Sequence, residues 1–445
     1  MRAVLLAAGE GKRLRPHFDR PKPLIPLLGL ALIERSILVL RECGISDFVV
    51  VTGCYADAIE KSLGHGEKYG VSISYLHNAR WAMGNGVSAY TFQRAYRRGE
   101  KFILLMADHL FEADLIRAFL AAAEDLKDDE LLLAADRRLD KVYDLDECTK
   151  VLARGNYAAK LGKELAEFNA VDCGLFVGTG SLLEALARSI EKGNCALADA
   201  VNLLAGAGKV KLHFVEHSWI DVDDYESYKE AEKILLRSLV PARDGFISRV
   251  INRRFSLRLT RLLAATSITP NQVTFLSFLA AAAAAISFAL GRPFIGGLLA
   301  QLASIIDGVD GEIARLKFLR SSFGEVFDSL LDRYGDCLIV MGMAYAWHSA
   351  TGQPAALLAG AAALAGMPLS MLFKEKFRNA FGKPFIPEAY DGWLRYVPAN
   401  RDGRLFVVML GGVFNQLPAA LVLLAAVSHL QVLVRLYKLR KGGMN

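Results

Sequence analysis

The sequence predicts a two-part fold: an α/β domain with a Rossmann-like, mainly parallel sheet, followed by an all-α transmembrane domain of six helices. Two observations support this prediction. Up to about residue 240, short apolar segments alternate with charged ones, which is typical of a water-soluble α/β protein. Beyond about residue 265, apolar runs such as FLSFLAAAAAAISFAL and LPAALVLLAAVSHLQVLV approach the roughly twenty residues that cross a bilayer.

Length, charge and cysteine content narrow the class of protein further. A chain of 445 residues has room for two or three domains. The net charge of +6 is modest, and basic residues beside membrane spans explain such an excess, so we expect no nucleic-acid partner. Six cysteines without a C-x-x-C pair predict reduced intracellular thiols. The apolar N-terminal segment fits a buried first strand better than a signal peptide.

The first half of the chain alternates strand and helix patterns. A buried strand, AVLLAAG, enters a glycine-rich loop, and a helical pattern, LIERSILVLRECG, follows it. The alternation continues with the segments DFVVVTG, KFILLMAD, LIRAFLAAAEDL and LLLAAD. Helices that cover both faces of a mainly parallel sheet explain this pattern, and ligands of such sheets bind beyond the carboxyl ends of the strands.

The loop after the first strand is a candidate phosphate site. Gly9 and Gly11 would let backbone N–H groups wrap around phosphates, and Lys12 and Arg13 supply positive charge. A dinucleotide-binding Rossmann loop is the main alternative. Leu14, however, stands where the third glycine of G-x-G-x-x-G is required, which argues against that alternative.

The loop motif resembles that of the sugar-phosphate nucleotidylyltransferases. The residues that carry the resemblance are Leu6-Ala7-Ala8-Gly9-x-Gly11-x-Arg13-Leu14 and Pro21-Lys22-Pro23-Leu24. The resemblance implies a nucleotidylyltransferase-like fold, with magnesium ligands at Asp108, in MAD, and Asp223, in WIDVDD. It further implies nucleotide contacts from Gly9, Gly11, Lys12, Arg13, Lys22, Gly84 and Asn85, and contacts to the acceptor phosphate from Lys150 and Lys163.

Within that superfamily, the segments FNAVDCGLF and WIDVDD are most similar to those of inositol-1-phosphate cytidylyltransferases. The similarity implies CTP and a phosphorylated polyol as substrates. The implied reaction is in-line attack of a phosphate monoester on the α-phosphorus of the nucleotide, with pyrophosphate as the leaving group. One departure is that Asp224-Tyr225 follows Asp223, where the family commonly has Thr-Pro.

Four aspartates at ordered spacing mark the second half. Asp307 and Asp310 are three residues apart, and Asp328 and Asp332 are four apart, so on two helices each pair shares one face. Carboxylates beside long apolar runs are costly unless they are paired or coordinate a cation. Together the four acids predict an oxygen-ligand site for magnesium, manganese or calcium.

The residues around these acids complete a longer motif. Asp307-x-x-Asp310-Gly311-x-x-Ala314-Arg315, then eight residues and Gly324-x-x-x-Asp328-x-x-x-Asp332, resembles the motif of the CDP-alcohol phosphotransferases. The resemblance implies that Asp307, Asp310 and Asp328 hold Mg²⁺ or Mn²⁺ on a CDP-alcohol, and that Asp332 shares in metal binding and acts as general base. It also implies nucleotide contacts at Gly311, Ala314, Arg315 and Gly324.

Three segments are predicted along the chain: a cytoplasmic domain over 1–240, an interfacial amphipathic helix over 241–265 and a membrane domain over 266–445. Within the amphipathic segment, the stretch FISRVINRRFSLRLTRLLAA carries five arginines among apolar residues, which is typical of a helix at the membrane surface. Within the membrane domain we expect spans near 270–290, 294–316, 322–348, 354–374, 401–415 and 416–436.

The distribution of basic residues predicts the orientation. Basic clusters precede span 1 and follow spans 2, 4 and 6, so both termini of this multi-pass cell-membrane protein are expected in the cytoplasm. Small residues crowd the spans, which permits close packing within one subunit or across a homodimer.

The favoured function is a bifunctional enzyme. The first half would make CDP-inositol from CTP and inositol 1-phosphate, and the membrane half would transfer phosphoinositol to an alcohol acceptor, with inositol 1-phosphate as the expected acceptor. A second interpretation is a CDP-alcohol phosphotransferase of phospholipid synthesis with an altered first domain. A third is a membrane transporter with a regulatory nucleotide-binding domain. Such a transporter would have repeated halves and acids near the membrane midplane, and the sequence shows neither.

Overall fold

The computed structural model describes residues 1–241, 244–386, 390–392 and 400–441. The chain divides into two compact units, Met1–Ile234 and Leu235–Asn445. Each unit has its own buried core, as the sequence pattern predicts. Two residues of the predicted 241–265 segment, at positions 242 and 243, lie outside the described residues.

The first unit is built on a nine-stranded sheet with two additional two-stranded ribbons. Its strands are β1 (Arg2–Ala7), β2 (Pro26–Leu27), β3 (Leu30–Ala31), β4 (Asp47–Thr52), β5 (Ser72–His77), β6 (Phe102–Met106), β7 (His109–Phe111), β8 (Leu131–Asp136), β9 (Lys150–Arg154), β10 (Tyr157–Gly162), β11 (Ala170–Gly178), β12 (Val210–Phe214) and β13 (Trp219–Asp221).

The strand order of the large sheet is β5-β4-β1-β6-β11-β8-β12-β10-β9. Strands β5, β4, β1 and β6 are parallel neighbours, and β8 and β12 form a fourth parallel pair. The long strand β11 enters between β6 and β8 antiparallel to both, and β10 is antiparallel to β12 and β9. Since β11 is antiparallel to both of its neighbours, β6 and β8 run in the same direction, and of the nine strands only β10 and β11 run the opposite way. The sheet is therefore mainly parallel in strand direction, as the sequence predicts, with β11 inserted antiparallel at its centre.

Helices cover this sheet on both faces: α1 (Leu32–Glu42), α2 (Ala56–Leu63), α3 (Asn85–Thr91), α4 (Ala113–Ala122), α5 (Gly180–Glu191), α6 (Leu197–Gly206) and α7 (Tyr225–Ser238). Because the central strands are covered on both sides, their apolar residues follow one another without alternation, and polar residues such as Arg2 and Asp136 stand at strand ends. All six residues of β1 and of β8 are buried. The polar ends of the strands are left to form the site.

The second unit is helical. A short π-helical turn at Ser248–Asn252 leads into α8 (Arg253–Leu263). Among the described residues, it is followed by α9 (Pro270–Ala289), α10 (Pro293–Leu316), α11 (Ser322–Thr351), α12 (Ala355–Phe381), α13 (Arg401–Val413) and α14 (Leu417–Arg440).

The six helices α9 to α14 coincide in position with the six predicted spans. Within the described residues, four of them, α9, α10, α12 and α14, are long and apolar enough to cross a membrane. Helix α11 has the length, but its acids and Arg333 lower its apolar character, and α13 has only 13 residues. The structure thus supports membrane association through four apolar helices, and a count of six spans remains a prediction.

Small residues bring these helices together within one chain. A Cβ atom on Gly297 of α10 would lie 2.8 Å from the carbonyl oxygen of Met409 in α13, and one on Gly360 of α12 would lie 2.8 Å from Ala344 in α11. These contacts leave no space for a larger side chain without a shift of the backbone. At these positions, the small residues of the sequence serve packing within the subunit.

Helix α8 presents a polar face to the interior of the unit. Arg254, Arg258 and Arg261 are exposed, but Arg253 turns inwards and is only 11% exposed. Ser256 and Thr260 are fully buried, whereas Phe255 and Leu262 are exposed. The physical reason is a buried carboxylate on α10, which the polar face of α8 satisfies.

Candidate active sites

The loop after β1 is shaped by a close contact between two predicted site residues. Gly11 has a φ of 64°, and a Cβ atom there would lie 2.5 Å from the Lys22 side chain, so glycine is required on both grounds. A short 3-10 helix, Lys12–Leu14, follows. Leu14 is buried and anchors the loop, while the side chain of Arg13 is half exposed. This explains why a leucine, and not a third glycine, stands at position 14.

Acidic residues meet where β6 and β13 end. Asp108 lies two residues beyond β6, and Asp221 is the last residue of β13. The ribbon of β7 and β13 places His109 opposite Asp221, which brings the two strand ends together. Lys22 Nζ lies 2.5 Å from Asp108 Oδ2 and also pairs with Asp223. The predicted ligands Asp108 and Asp223 are therefore joined by one buried ammonium group.

These charges shift one another's pKa. Burial opposes the charged form of Lys22, yet Asp108, Asp221 and Asp223 raise its pKa above the usual range. Burial also opposes ionisation of Asp108, but Lys22 and His109 hold the pKa of this carboxyl well below its usual range. Burial raises the pKa of Asp221 to about 6. The pKa of His109 is about 9, because Asp221 and Asp108 outweigh the opposing effect of burial.

The donor set of this cluster fits a divalent cation. Asp108, His109 and Asp221 each offer one ligand atom, and these atoms lie within 4.8 Å of one another. Asp221 Oδ1 is buried and has no hydrogen-bond partner in the described part of the chain. A carboxylate oxygen in that position is costly unless a cation or a donor satisfies it. Asp223 lies beside this group and shares Lys22 with Asp108.

A cavity of about 490 Å³ opens beside the acids. Of the residues predicted from the sequence, it is lined by Gly9, Gly84, Asn85, Asp108, Lys163 and Asp223. A second cavity of about 310 Å³ shares Gly9, Asp108 and Asp223 with the first and is also lined by Gly11, Lys12, Arg13 and Lys22.

Lys150 is placed differently from the other predicted residues. Its Nζ donates a hydrogen bond to the carbonyl oxygen of Lys163 at 2.9 Å and lies over the ring of Phe168. Among the described residues that line the two cavities, Lys163 is present and Lys150 is not. Lys150 thus supports the backbone beside Lys163 in this structure.

Sequence reasoning missed three polar residues of this site. It gave no role to His109, although this residue directly follows Asp108, or to Asp221, although this residue lies in the same WIDVDD segment as Asp223. It also missed Asp172, which lines the larger cavity and accepts a hydrogen bond from the backbone N–H of Gly174 at 2.7 Å. Burial raises the pKa of Asp172 to about 6. For His109, in DHL, and Asp172, in VDCG, the sequence did offer a signal, since each is a polar residue beside an apolar strand segment.

The second site lies in the helical unit, where α10 and α11 face each other. Asp307, Asp310 and Asp328 each offer one oxygen, and these atoms lie within 4.8 Å of one another. Thr274 of α9 donates a hydrogen bond to Asp310 Oδ2 at 2.6 Å. Asp328 Oδ1 is buried without a hydrogen-bond partner among the described residues. Three carboxylates around an unsatisfied buried oxygen fit a divalent cation, as the spacing predicts.

Asp332 stands next to this trio and is joined to it by Arg401. The Nη1 atom of Arg401 lies 2.7 Å from Asp307 Oδ1 and 2.9 Å from Asp332 Oδ1. Its Nε donates to Asp336 Oδ1 at 3.3 Å, and Arg404 Nη2 lies 3.0 Å from the other Asp336 oxygen. Asp336, which is not part of the four-aspartate motif, therefore pairs with two basic residues.

Sequence reasoning missed Arg401. The residue opens α13, in the segment NRDGRLF, and it is separated from the acids by the whole of α12. The available signal was weak: two arginines three residues apart at the start of an apolar helix, where a basic residue needs a buried acidic partner.

A cavity of about 460 Å³ adjoins the acid trio. Its lining includes Asp310 and Asp328, together with the four residues predicted to contact the nucleotide, Gly311, Ala314, Arg315 and Gly324. A Cβ atom on Gly311 would lie 3.2 Å from Arg315 Nη1, so glycine leaves room for the guanidinium group. Arg315 Nε is buried without a hydrogen-bond partner in the described part of the chain. Such a group fits an anionic ligand.

Two family models match the chain, one in each unit. Residues 3–198 match the MobA-like NTP transferase domain, and residues 267–381 match the CDP-alcohol phosphatidyltransferase domain. Together with the two acid sites, they define the class of protein: a nucleotidyltransferase joined to a CDP-alcohol phosphotransferase.

Relatives extend over the whole chain. A "Bifunctional IPC transferase and DIPP synthase" from Rubrobacter xylanophilus is 36% identical over 444 residues, which cover 99% of this chain and 97% of the relative. A protein of the same name from Thermococcus kodakarensis is 33% identical, over 98% of this chain and 96% of its own. The chain belongs to the family of bifunctional IPC transferases and DIPP synthases.

A solved structure covers the first unit. It is described as the inositol-1-phosphate CTP transferase from T. maritima, is 27% identical, and aligns with 52% of this chain and 95% of its own with a TM-score of 0.46.

Proposed function

We propose that this chain makes CDP-inositol from CTP and inositol 1-phosphate and then transfers the phosphoinositol group to an alcohol, with release of CMP. The proposed acceptor is a second inositol 1-phosphate, which gives a phosphorylated di-inositol phosphodiester. The observation that carries the proposal is full-length similarity to relatives named for two linked activities. Use of one activated intermediate by both halves accounts for their fusion.

In the first unit, the proposed metal ligands are Asp108 and Asp223, with Asp221 beside them, and the proposed ion is Mg²⁺ or Mn²⁺. Lys22 and Arg13 already contact these acids, so both cations lie where triphosphate oxygens would enter. The backbone at Gly9 and Gly11, and Lys12, would hold the nucleotide phosphates, while Gly84 and Asn85 would contact the base and ribose.

The proposed first reaction is a displacement at the α-phosphorus of CTP. An oxygen of the inositol phosphate, oriented by Lys163 in the larger cavity, forms the new P–O bond. The bond to the β-phosphate breaks, and pyrophosphate leaves with that electron pair. Because the nucleophile is already an anion, the protein needs mainly to align the two phosphates and neutralise their charge.

In the second unit, the proposed metal ligands are Asp307, Asp310 and Asp328, and Asp332 would share in binding the metal. A bound divalent cation would neutralise negative charge on the CDP diphosphate as CMP departs. Asp332 would accept the proton of the acceptor hydroxyl, whose oxygen then attacks the phosphorus that carries the inositol group. Proton acceptance by a positioned carboxylate makes a neutral alcohol an effective nucleophile.

Groups around the acids would hold the CDP-alcohol. Arg315 lines the cavity beside Asp310 and would clamp phosphate oxygens with its planar fork. The same cavity is lined by Gly311, Ala314 and Gly324. The two glycines have no side chain and Ala314 has only a methyl group, which leaves room for the nucleotide.

The proposed arrangement in the membrane has six spans, with both termini and both active sites on the cytoplasmic side. It comprises a cytoplasmic domain over 1–240, an interfacial helix over 241–265 and a membrane domain over 266–445 that forms a homodimer. Four apolar helices and the basic residues at their ends support it. In this arrangement, a water-soluble intermediate reaches the acids without crossing the bilayer.

The test is a two-stage assay on membranes that contain the full chain. Incubation with CTP, inositol 1-phosphate and Mg²⁺ should release pyrophosphate and then CMP, with a phosphodiester resonance in the ³¹P NMR spectrum of the water-soluble products. CMP release that requires added lipid, with the phosphodiester in the organic phase, would replace this proposal by phospholipid synthesis. Absence of both pyrophosphate and CMP would contradict it altogether.

A further inference from the structure

Glu312 is a fully buried acid with no part in the reaction proposed above. It follows Gly311 directly, inside the segment that carries Asp307 and Asp310. Its carboxylate accepts hydrogen bonds from three side chains of α8: Arg253 Nη1, Ser256 Oγ at 2.6 Å and Thr260 Oγ1 at 2.5 Å. Both of its oxygens are used.

Arg253 makes two further contacts. Its Nη1 donates to the carbonyl oxygen of Gly308 at 3.2 Å, and its Nε donates to Asp244 Oδ2 at 2.6 Å. Gly308 is the neighbour of Asp307, so one guanidinium group holds the backbone of α10 beside a proposed metal ligand. A Cβ atom on Gly308 would lie 3.1 Å from Arg253 Nη1, so a larger side chain would press against the guanidinium group.

The contact between α8 and α10 continues for about three turns. Asn252 donates to Ser304 Oγ at 2.9 Å and accepts from Gln301 Nε2 at 2.7 Å, and these side chains are buried or half-buried. The α10 partners therefore run from Gln301 through Ser304 and Gly308 to Glu312, at intervals of three or four residues, along one face of the helix. A polar face this long fixes both the register and the rotation of α10.

The acids of the site lie on a different face of α10. At about 100° per residue, Glu312 and Asp307 are separated by about 140° around the helix axis. A rotation of α10 by about 5° would move a carboxylate that lies 5–6 Å from the axis by roughly 0.5 Å. Metal–ligand distances tolerate only about 0.2 Å, so a small rotation would disturb the site.

We propose that Glu312 is a positioning residue for the membrane-domain acids, acting through its hydrogen bonds to Arg253, Ser256 and Thr260. The inference rests on the proposed phosphotransferase function. It also explains why a buried ion pair is found here, since such pairs are commonly no more stabilising than well-packed apolar residues of the same volume. The groups that hold metal-binding residues in place typically contribute 10–100-fold to metal affinity.

The test measures cation binding directly. Mn²⁺ is titrated into the detergent-solubilised full chain and free Mn²⁺ is followed by electron paramagnetic resonance, in an Asp108→Ala, Asp223→Ala background that removes proposed ligands of the first unit. We expect Glu312→Gln to weaken Mn²⁺ binding about tenfold or more. In the otherwise native chain, it should raise the Mg²⁺ concentration needed for CMP release and leave pyrophosphate release unchanged.

A second variant separates positioning from stability. The double variant Arg253→Met, Glu312→Met replaces the ion pair by apolar side chains, so we expect recovery of thermal stability with Mn²⁺ binding still weak. Gln431→Leu, which removes a buried hydrogen bond between α12 and α14, is the matched control; it should lower thermal stability and leave Mn²⁺ binding unchanged.

Two outcomes would overturn the inference: unchanged Mn²⁺ affinity in Glu312→Gln, or recovery of both stability and affinity in the double variant. Failure of the proposed function is distinguishable from either. A native chain that binds Mn²⁺ through Glu312-dependent acids but releases no CMP would remove the phosphotransferase proposal and leave the positioning role in place.

Discussion

Arg401 lies 2.7 Å from Asp307, in the middle of the acids that the sequence assigns to a metal. The same nitrogen lies 2.9 Å from Asp332, so the guanidinium group joins a proposed ligand to the proposed base. Its side chain is only 11% exposed, and the acids around it would otherwise repel one another. Arg401 therefore balances the charge of the site from the neighbouring helix α13.

Removal of Arg401 should destabilise the chain most when no divalent cation is present. Loss of one partner from a buried ion pair typically costs about 3–5 kcal/mol, because the remaining charge is left uncompensated. We expect Arg401→Met to lower thermal stability in EDTA and to regain part of the loss in Mg²⁺. The control is Arg378→Met, which removes an exposed pair with Glu375 and should cost less than about 1 kcal/mol. An equal loss with and without Mg²⁺ would contradict the charge-balance role.

Asp108→Ala should separate the two activities. It removes a proposed ligand of the first unit, so pyrophosphate release should fall to background while CMP release from supplied CDP-inositol stays normal. The complementary variant is Asp310→Ala, which should show the opposite pattern. Parallel loss of both activities in either variant would argue against two separate sites.

The asparagine variants of Asp332 and Asp307 should differ: the first should lose the rate of transfer, and the second Mg²⁺-dependent binding of the CDP-alcohol. Asp332→Asn removes the proposed proton acceptor, so single-turnover transfer should slow by about 10²–10⁴ with CDP-alcohol affinity largely retained. Asp307→Asn removes a proposed ligand, so Mg²⁺-dependent binding of the CDP-alcohol should itself weaken. The two quantities are measured by binding titrations against Mg²⁺ and by quenched-flow transfer. Normal turnover in Asp332→Asn would exclude its role as base.

Asp172 should make stability depend on pH. Its pKa is about 6 in the folded protein, compared with about 3.9 in an unfolded chain. The folded state thus holds this proton more tightly, so the carboxyl group favours folding below about pH 4 and progressively less as pH rises through 6. Asp172→Asn should gain thermal stability over the native chain at pH 7.5 and much less at pH 5, whereas Asp125→Asn, at an exposed position, should change neither. An equal gain at both pH values would contradict this.

The orientation in the membrane can be tested between α11 and α12. Gln353 is exposed in the short connection between these helices, which the basic-residue distribution puts outside the cell. In a cysteine-free background, Gln353→Cys should react with an impermeant maleimide in intact cells, and a cysteine at Lys441 should react only after permeabilisation. The reverse pattern would overturn the six-span arrangement.

The sequence by itself determined the features that depend on neighbours along the chain. The spacing of Asp307, Asp310, Asp328 and Asp332 is enough to put each pair on one helix face, because the helical period is fixed by the backbone. The apolar segments likewise predicted the positions of α9 to α14, and the apolar run AVLLAAG followed by Gly9 and Gly11 predicted the first strand and its loop.

Only the tertiary structure decided the features that join distant parts of the chain. These are the antiparallel entry of β11 into the sheet, the ammonium of Lys22 between two aspartates, the inward turn of α8 and the ion pairs of Arg401. A buried charge must find a partner, but its own segment does not say which one, since any opposite charge brought near by packing would serve. The packing of the helices and strands determines which partner each buried charge meets.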